Sequence, residues 1–116
     1  MIEKTVLDFL TAAFVDVPVY MEVPENIPEK CIVLEMLGGG ESNLVFSASI
    51  AAQAYGATLY EAAALNEEVI GAMYNFPSVE NIGRCKLASS YNFTDTATKR
   101  YRYQSVFDIY YVKKED

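Results

Sequence analysis

The sequence predicts an α+β fold, a mixed and mostly antiparallel sheet packed by two helices, and three observations lead to it. Apolar residues recur at three- and four-residue steps in two segments only, near the start and after Thr58, so two amphipathic helices are expected. Elsewhere apolar and more polar residues alternate with period two, as half-buried strands require. Most links between those strands are of hairpin length, which favours antiparallel neighbours. Each helix has one apolar stripe to cover, and a sheet face supplies the surface.

The elements follow in order. Residues 3–15 read as the first helix, with Ile2, Val6, Phe9, Leu10, Ala13 and Phe14 on the stripe and Glu3, Lys4 and Asp8 off it. Residues 17–21 read as a short strand whose Pro18 suits a first position or an edge. Pro24 and Pro28 bracket a loop, and residues 31–37 form a strand that is apolar on both faces apart from Glu35. Gly38-Gly39-Gly40-Glu41-Ser42-Asn43 reads as a turn, from which a strand over 44–54 pairs back as a hairpin. The glycine run is not followed by Lys-Ser/Thr and opens no helix, so it lacks the arrangement of amides that cradles phosphate.

Thr58 and Glu61 form a capping-box pattern at the start of the second helix. Its stripe is Ala62, Leu65, Val69, Met73 and Phe76; Gly71 inside it suggests close contact with another backbone, and Pro77 ends it. Two further strands, 82–91 and 100–112, are joined by a polar loop over 92–99. The last strand places Tyr101, Tyr103, Ser105, Phe107, Ile109 and Tyr111 on one face and Arg100, Arg102, Gln104, Val106, Asp108, Tyr110 and Val112 on the other.

With 116 residues and 52 % hydrophobic content, the chain forms one domain, 1–116, with a single core and no need of disulfides or metal. Residues 42–60 carry no charge, but their alternation makes them a strand and not a membrane span. The start of the chain lacks the basic region of a signal peptide. Cys31 and Cys85 fall inside expected strands, where reduced thiols act as small apolar residues; a bridge between neighbouring strands is the other possibility.

The net charge of −7 opposes non-specific binding of nucleic acid, although the Tyr/Arg strand has the residue types that stack on bases and meet phosphates. Charge is unevenly spread. Residues 1–68 hold two basic and eleven acidic residues, a balance of −9, whereas residues 69–116 hold seven basic and five acidic, a balance of +2. This reads either as scattered surface charge or as an acidic and a basic flank suited to head-to-tail contact between copies.

No histidine is present, which removes the commonest general base and the commonest zinc ligand. The cysteines have no imidazole to activate them, and the carboxylate pairs Glu67–Glu68 and Glu25–Glu29 read as solvated charge. Asp95 beside Lys99 and Arg100 suits a turn better than acid–base chemistry. The expectation is a binding or assembly protein, not an enzyme, with no cofactor and no metal.

Residues 59–67 (LYEAAALNE), 89–95 (SSYNFTD) and 99–104 (KRYRYQ) together resemble the small neck proteins of long-tailed bacteriophages and prophages, in particular the tail terminator (tail completion) family. The Val-Pro-Val-Tyr that follows the first helix fits as well, so the resemblance spans most of the chain. It implies a homohexameric ring in the virion, assembled in the host bacterial cytoplasm. Such a ring caps the tail tube, stops its polymerisation and faces the head–tail connector proteins. The implied partners are other copies of the chain, the tail tube protein and the connector, with no membrane and no specific nucleic acid.

Exposure and chemistry select Asn92, Thr94, Asp95, Lys99, Arg100 and Arg102 for partner contact, with Gly38, Gly39, Gly40 and Glu41 as a second loop. Two other readings stand beside this one. The chain is alternatively a head-closure or head–tail joining subunit of the same neck. From a different class, it is a small enzymatic or ligand-binding α/β domain, which a deep pocket lined by ionisable groups would favour. Opposite charge on the two flanks has a measurable consequence. Self-assembly should weaken as salt rises, because surface charges are screened beyond roughly 10 Å at 0.1 M. Light scattering across a salt series checks this, and assembly indifferent to salt would remove charge as its cause.

Overall fold

The computed structural model describes residues 1–113. Helix α1 spans Ile2–Ala13 and buries Ile2, Val6 and Leu10 on its stripe. The two-residue strand β1, Val19–Tyr20, runs parallel to the start of β2, Cys31–Ser42. β2 turns back into β3, Val45–Gly56, and helix α2 follows at Leu59–Met73. A single 3-10 turn at Phe76–Ser78 leads into β4, Ile82–Asn92, and β5 is Tyr101–Val112. The strands lie in the order β1-β2-β3-β5-β4, and every pairing except β1–β2 is antiparallel. This is the expected α+β class, a mixed and mostly antiparallel sheet with helices packed against it.

Both helices cover the same face of the sheet. Ile32 and Leu34 of β2, Ile50 of β3 and Phe107 and Ile109 of β5 meet Leu10 of α1 and Leu65, Val69 and Met73 of α2 in one apolar cluster. Phe9 and Phe76 meet edge-on, ring centroids 5.2 Å apart, and tie α1 to the 3-10 turn. β3 offers mostly small residues to this face, Ala48, Ala52 and Ala54, so α2 comes close to the sheet. The closest approach is at Gly56, where a Cβ would lie 2.4 Å from the Ala62 backbone nitrogen.

The N-terminus of α2 is capped as its sequence implies. The Thr58 hydroxyl accepts from the Glu61 amide at 3.1 Å. The Glu61 carboxylate reaches one residue further back than the usual box and accepts from the Ala57 amide at 3.1 Å.

Three expectations are corrected. The triple glycine is not the turn: Gly38, Gly39 and Gly40 continue β2 and pair with Ser49, Ala48 and Ser47. The reversal uses only Asn43 and Leu44, with φ of 52° and 68°, the left-handed pair that a two-residue hairpin demands. Glu41 stabilises it by accepting from the Leu44 amide at 3.0 Å. Gly71 touches no other backbone, since a Cβ there would find nothing within 4 Å. Finally, α2 stops at Met73, before Pro77 can end it, and Pro77 sits inside the 3-10 turn. Cys31 and Cys85 lie on β2 and β4, with β3 and β5 between them, and both are free thiols.

The two glycines of the α2 region should respond oppositely to alanine. Gly56→Ala drives a methyl into backbone and should cost about 2–3 kcal/mol. Gly71→Ala meets open space in a helix and should add about 1 kcal/mol. Urea unfolding of both variants checks the pair, and equal effects would contradict the close approach of α2.

Candidate assembly surfaces

Side chains at one corner of the sheet gather around Tyr55, the buried ring near the end of β3. Pairing aligns Tyr55 with Cys31 on β2 and Arg102 on β5, and together with Val33 it forms a small second core on the face away from the helices. Tyr20 and Ile27 close over it. Arg102 donates through Nη1 to the Tyr55 hydroxyl at 3.0 Å and through Nε to the Phe93 carbonyl at 2.7 Å. Its guanidinium carbon lies 4.4 Å from the Phe93 ring centroid, within cation–π range. Arg100 stacks over Tyr55 at 5.1 Å and donates to the Pro28 carbonyl at 2.8 Å, holding the 21–30 segment against the sheet. Its buried Nε makes no hydrogen bond among the described residues.

The connection from β4 to β5 is built by its own side chains. Asn92 Oδ1 accepts from the Thr94 amide at 3.0 Å and from the Thr94 hydroxyl at 2.6 Å. Asp95 Oδ1 accepts from the Ala97 amide at 3.0 Å and the Thr98 amide at 3.4 Å, and Asp95 and Arg100 form an isolated bridge. Bonding from Thr98 and Ala97, aided by the charge of Arg102, holds the Asp95 carboxyl below its ordinary range. Asp95 is thus the turn residue its sequence context suggested. Lys99, at φ 56°, makes the last reversal and is exposed.

The face opposite the helices carries a polar ladder across four strands. Gln53 Nε2 donates to Gln104 Oε1 at 2.9 Å and, more weakly, to Glu35 Oε2 at 3.4 Å. Gln104 in turn donates to the Tyr91 hydroxyl. One further rung joins Ser49 to Asp108 at 2.7 Å. Beside it lies an open hollow of about 360 Å³, floored by Gly38, Gly39 and Gly40 and flanked by Ser47, Ser49, Asp108 and Tyr110. Asp108 is the one carboxyl in that lining.

The predicted contact residues therefore form two groups. Asn92, Thr94, Asp95, Lys99, Arg100 and Arg102 are brought together at the Tyr55 corner, but both arginines are engaged within the chain. Gly39, Gly40 and Glu41 lie on the far half of β2, roughly 30 Å along the strand from that corner by strand rise. They line an exposed sheet edge, not a loop.

Sequence reasoning missed the ladder and a second polar cluster on the helix side. There Asn66, buried in α2, donates to Ser90 at 2.8 Å and accepts from Ser105 at 2.5 Å. The available signal was Asn66 itself, which occupies the apolar stripe one step from Leu65. Among the described residues no group of three or more His, Cys, Asp or Glu is placed to hold a metal, and no helix is long and apolar enough to cross a membrane. Comparison with protein-family models and with curated proteins finds no match.

Cys85 faces the core from β4, and burial, with the Asp108 charge adding to it, pushes its thiol up to about 11. The folded state therefore favours the neutral thiol, and this contribution is complete below the unfolded value near 9 and is lost as pH rises towards 11. Alkylation of the native protein by iodoacetamide should be slow at pH 8 and accelerate only near pH 11. Rapid labelling of Cys85 at pH 8 would show that β4 opens readily.

Proposed function

We propose that this chain is a structural subunit of the neck of a long-tailed bacteriophage: a tail terminator that forms a ring on the tail tube, halts its growth and joins it to the head connector. The observation that carries this reading is that the sheet has two unlike free edges among the described residues, the length of β2 beyond β1 and the outer side of β4. A molecule with two unlike edges meets its copies head to tail, and such contacts either close into a ring or extend without limit. The resemblance to neck proteins that we read in residues 59–67, 89–95 and 99–104 supplies the context in which closure would be useful. The mechanism is steric, with no turnover and no cofactor.

The polar β4–β5 connection around Asp95 and the β2–β3 turn lie at opposite ends of the sheet, which suits a ring with one side on the tube and one towards the head. The molecule is 44 Å long and 25 Å across, so the two ends are well separated.

Electron microscopy of particles from a prophage lacking this gene tests the proposal. Tails of uncontrolled length, unattached to filled heads, are the expected result. Tails of normal length beside leaking heads would move the protein to the head-closure side of the joint. Intact infectious particles would overturn a structural role and favour the ligand-binding or enzymatic alternative.

A further inference from the structure

The two free edges of the sheet are chemically complementary and lie level with each other. β1 pairs with β2 only at Ile32 and Val33, and among the described residues no strand covers β2 beyond them or β4 on its outer side. Following the pairings across the sheet, Leu34 lies in the row of Ser90, Gly38 in the row of Lys86 and Gly40 in the row of Arg84. The uncovered part of β2 thus spans the same rows as β4 from Ser90 back to Arg84.

The charges on these strands are of one sign each. β2 carries Glu35 and Glu41 and no basic residue; β4 carries Arg84 and Lys86 and no acidic one. All four side chains are exposed, and the only ion pair among the described residues is Lys4–Asp8, far from both edges in the sequence. Gly38, Gly39 and Gly40 leave the β2 edge without side chains where a second backbone would approach. Three antiparallel steps separate β2 from β4, so β4 of one copy runs antiparallel to β2 of the next when both turn their helices the same way.

We infer that β4 of one copy adds to β2 of its neighbour, extending the sheet from subunit to subunit through backbone pairing with Arg84 and Lys86 beside the acidic β2 edge. The occupant of each edge is a second copy of this chain. Like-charge repulsion disfavours β2 with β2 and β4 with β4, which selects the head-to-tail contact over a two-fold dimer. This inference rests on the ring reading for closure alone; the edge contact itself is testable without it.

The test places one cysteine on each edge in a Cys85→Ala background. Gly38→Cys and Gly40→Cys fit the structure, since a Cβ at Gly38 meets nothing within 4 Å and at Gly40 meets only the Ser47 hydroxyl at 3.6 Å. Each is combined with Lys86→Cys in the same chain and oxidised at millimolar protein concentration. Paired strands bring such positions within disulfide range, and the two choices allow for the level register or a two-row slide. A ladder of covalent multimers on a denaturing gel, from either combination, is the expected result. Glu35→Lys in those chains should reduce cross-linking about tenfold, and mixing it with Lys86→Glu chains, read by light scattering, should restore association that each lacks alone. Monomers throughout, or multimers that never cross-link, would overturn the edge contact. If the deletion phenotype still gives overlong tails, the ring reading survives that failure and another surface joins the subunits.

Discussion

The pairing of β3 with β5 is the constraint on which the rest of the molecule depends. It runs without interruption from Val45 opposite Val112 to Gly56 opposite Tyr101. Because its register never slips, side chains on both strands alternate cleanly between the two faces. Ile50, Phe107 and Ile109 turn to the helices, while Gln53 and Gln104 turn to the other side and meet. The outer strands are less regular. β2 carries an extra residue at Leu37, and β4 carries extra residues at Gly83 and Ala88. Such bulges bend and twist an edge, so the regular centre sets the geometry and the rims adjust to it.

Each face of the sheet solves a different problem. On the helix side, burial of apolar stripes supplies the main stabilisation, and Asn66, Ser90 and Ser105 satisfy one another where polar atoms intrude. On the other side no helix lies among the described residues, and apart from the 21–30 segment over the Tyr55 corner the sheet is covered by its own long side chains. Stacking of two guanidinium groups on Tyr55 and the Gln53–Gln104 ladder take the place of a second layer. The arginines expected at a partner surface are thus occupied in holding the chain to itself.

What was legible in the sequence was local. The stripe of α2, its Thr58 cap and the alternation of β5 follow from residues close together in the chain, so spacing alone reveals them. The position of the β2–β3 reversal was not legible, because three glycines look more like a turn than Asn43-Leu44 does. Turn type is decided by the twist of the paired strands, and the pair that adopts left-handed geometry wins over the pair with the most flexible backbone. Strand order, the free edges and the level of Lys86 with Gly38 depend on pairings between distant segments, which no local pattern records. The two groups of contact residues were recognisable as polar and unusual, but their separation along the sheet was not.

The location of β5 has a consequence for how the molecule comes into being. It lies between β3 and β4 in space yet follows every other described element in the chain. During synthesis the β2–β3 hairpin can form as soon as it emerges, since its pairing is local. β3 then presents one unpaired side, and β4 has no strand to join, until β5 arrives between them. The centre of the sheet is filled last. Such late closure prolongs the time in which a growing chain exposes strand edges, and it ties completion of the sheet to the emergence of β5.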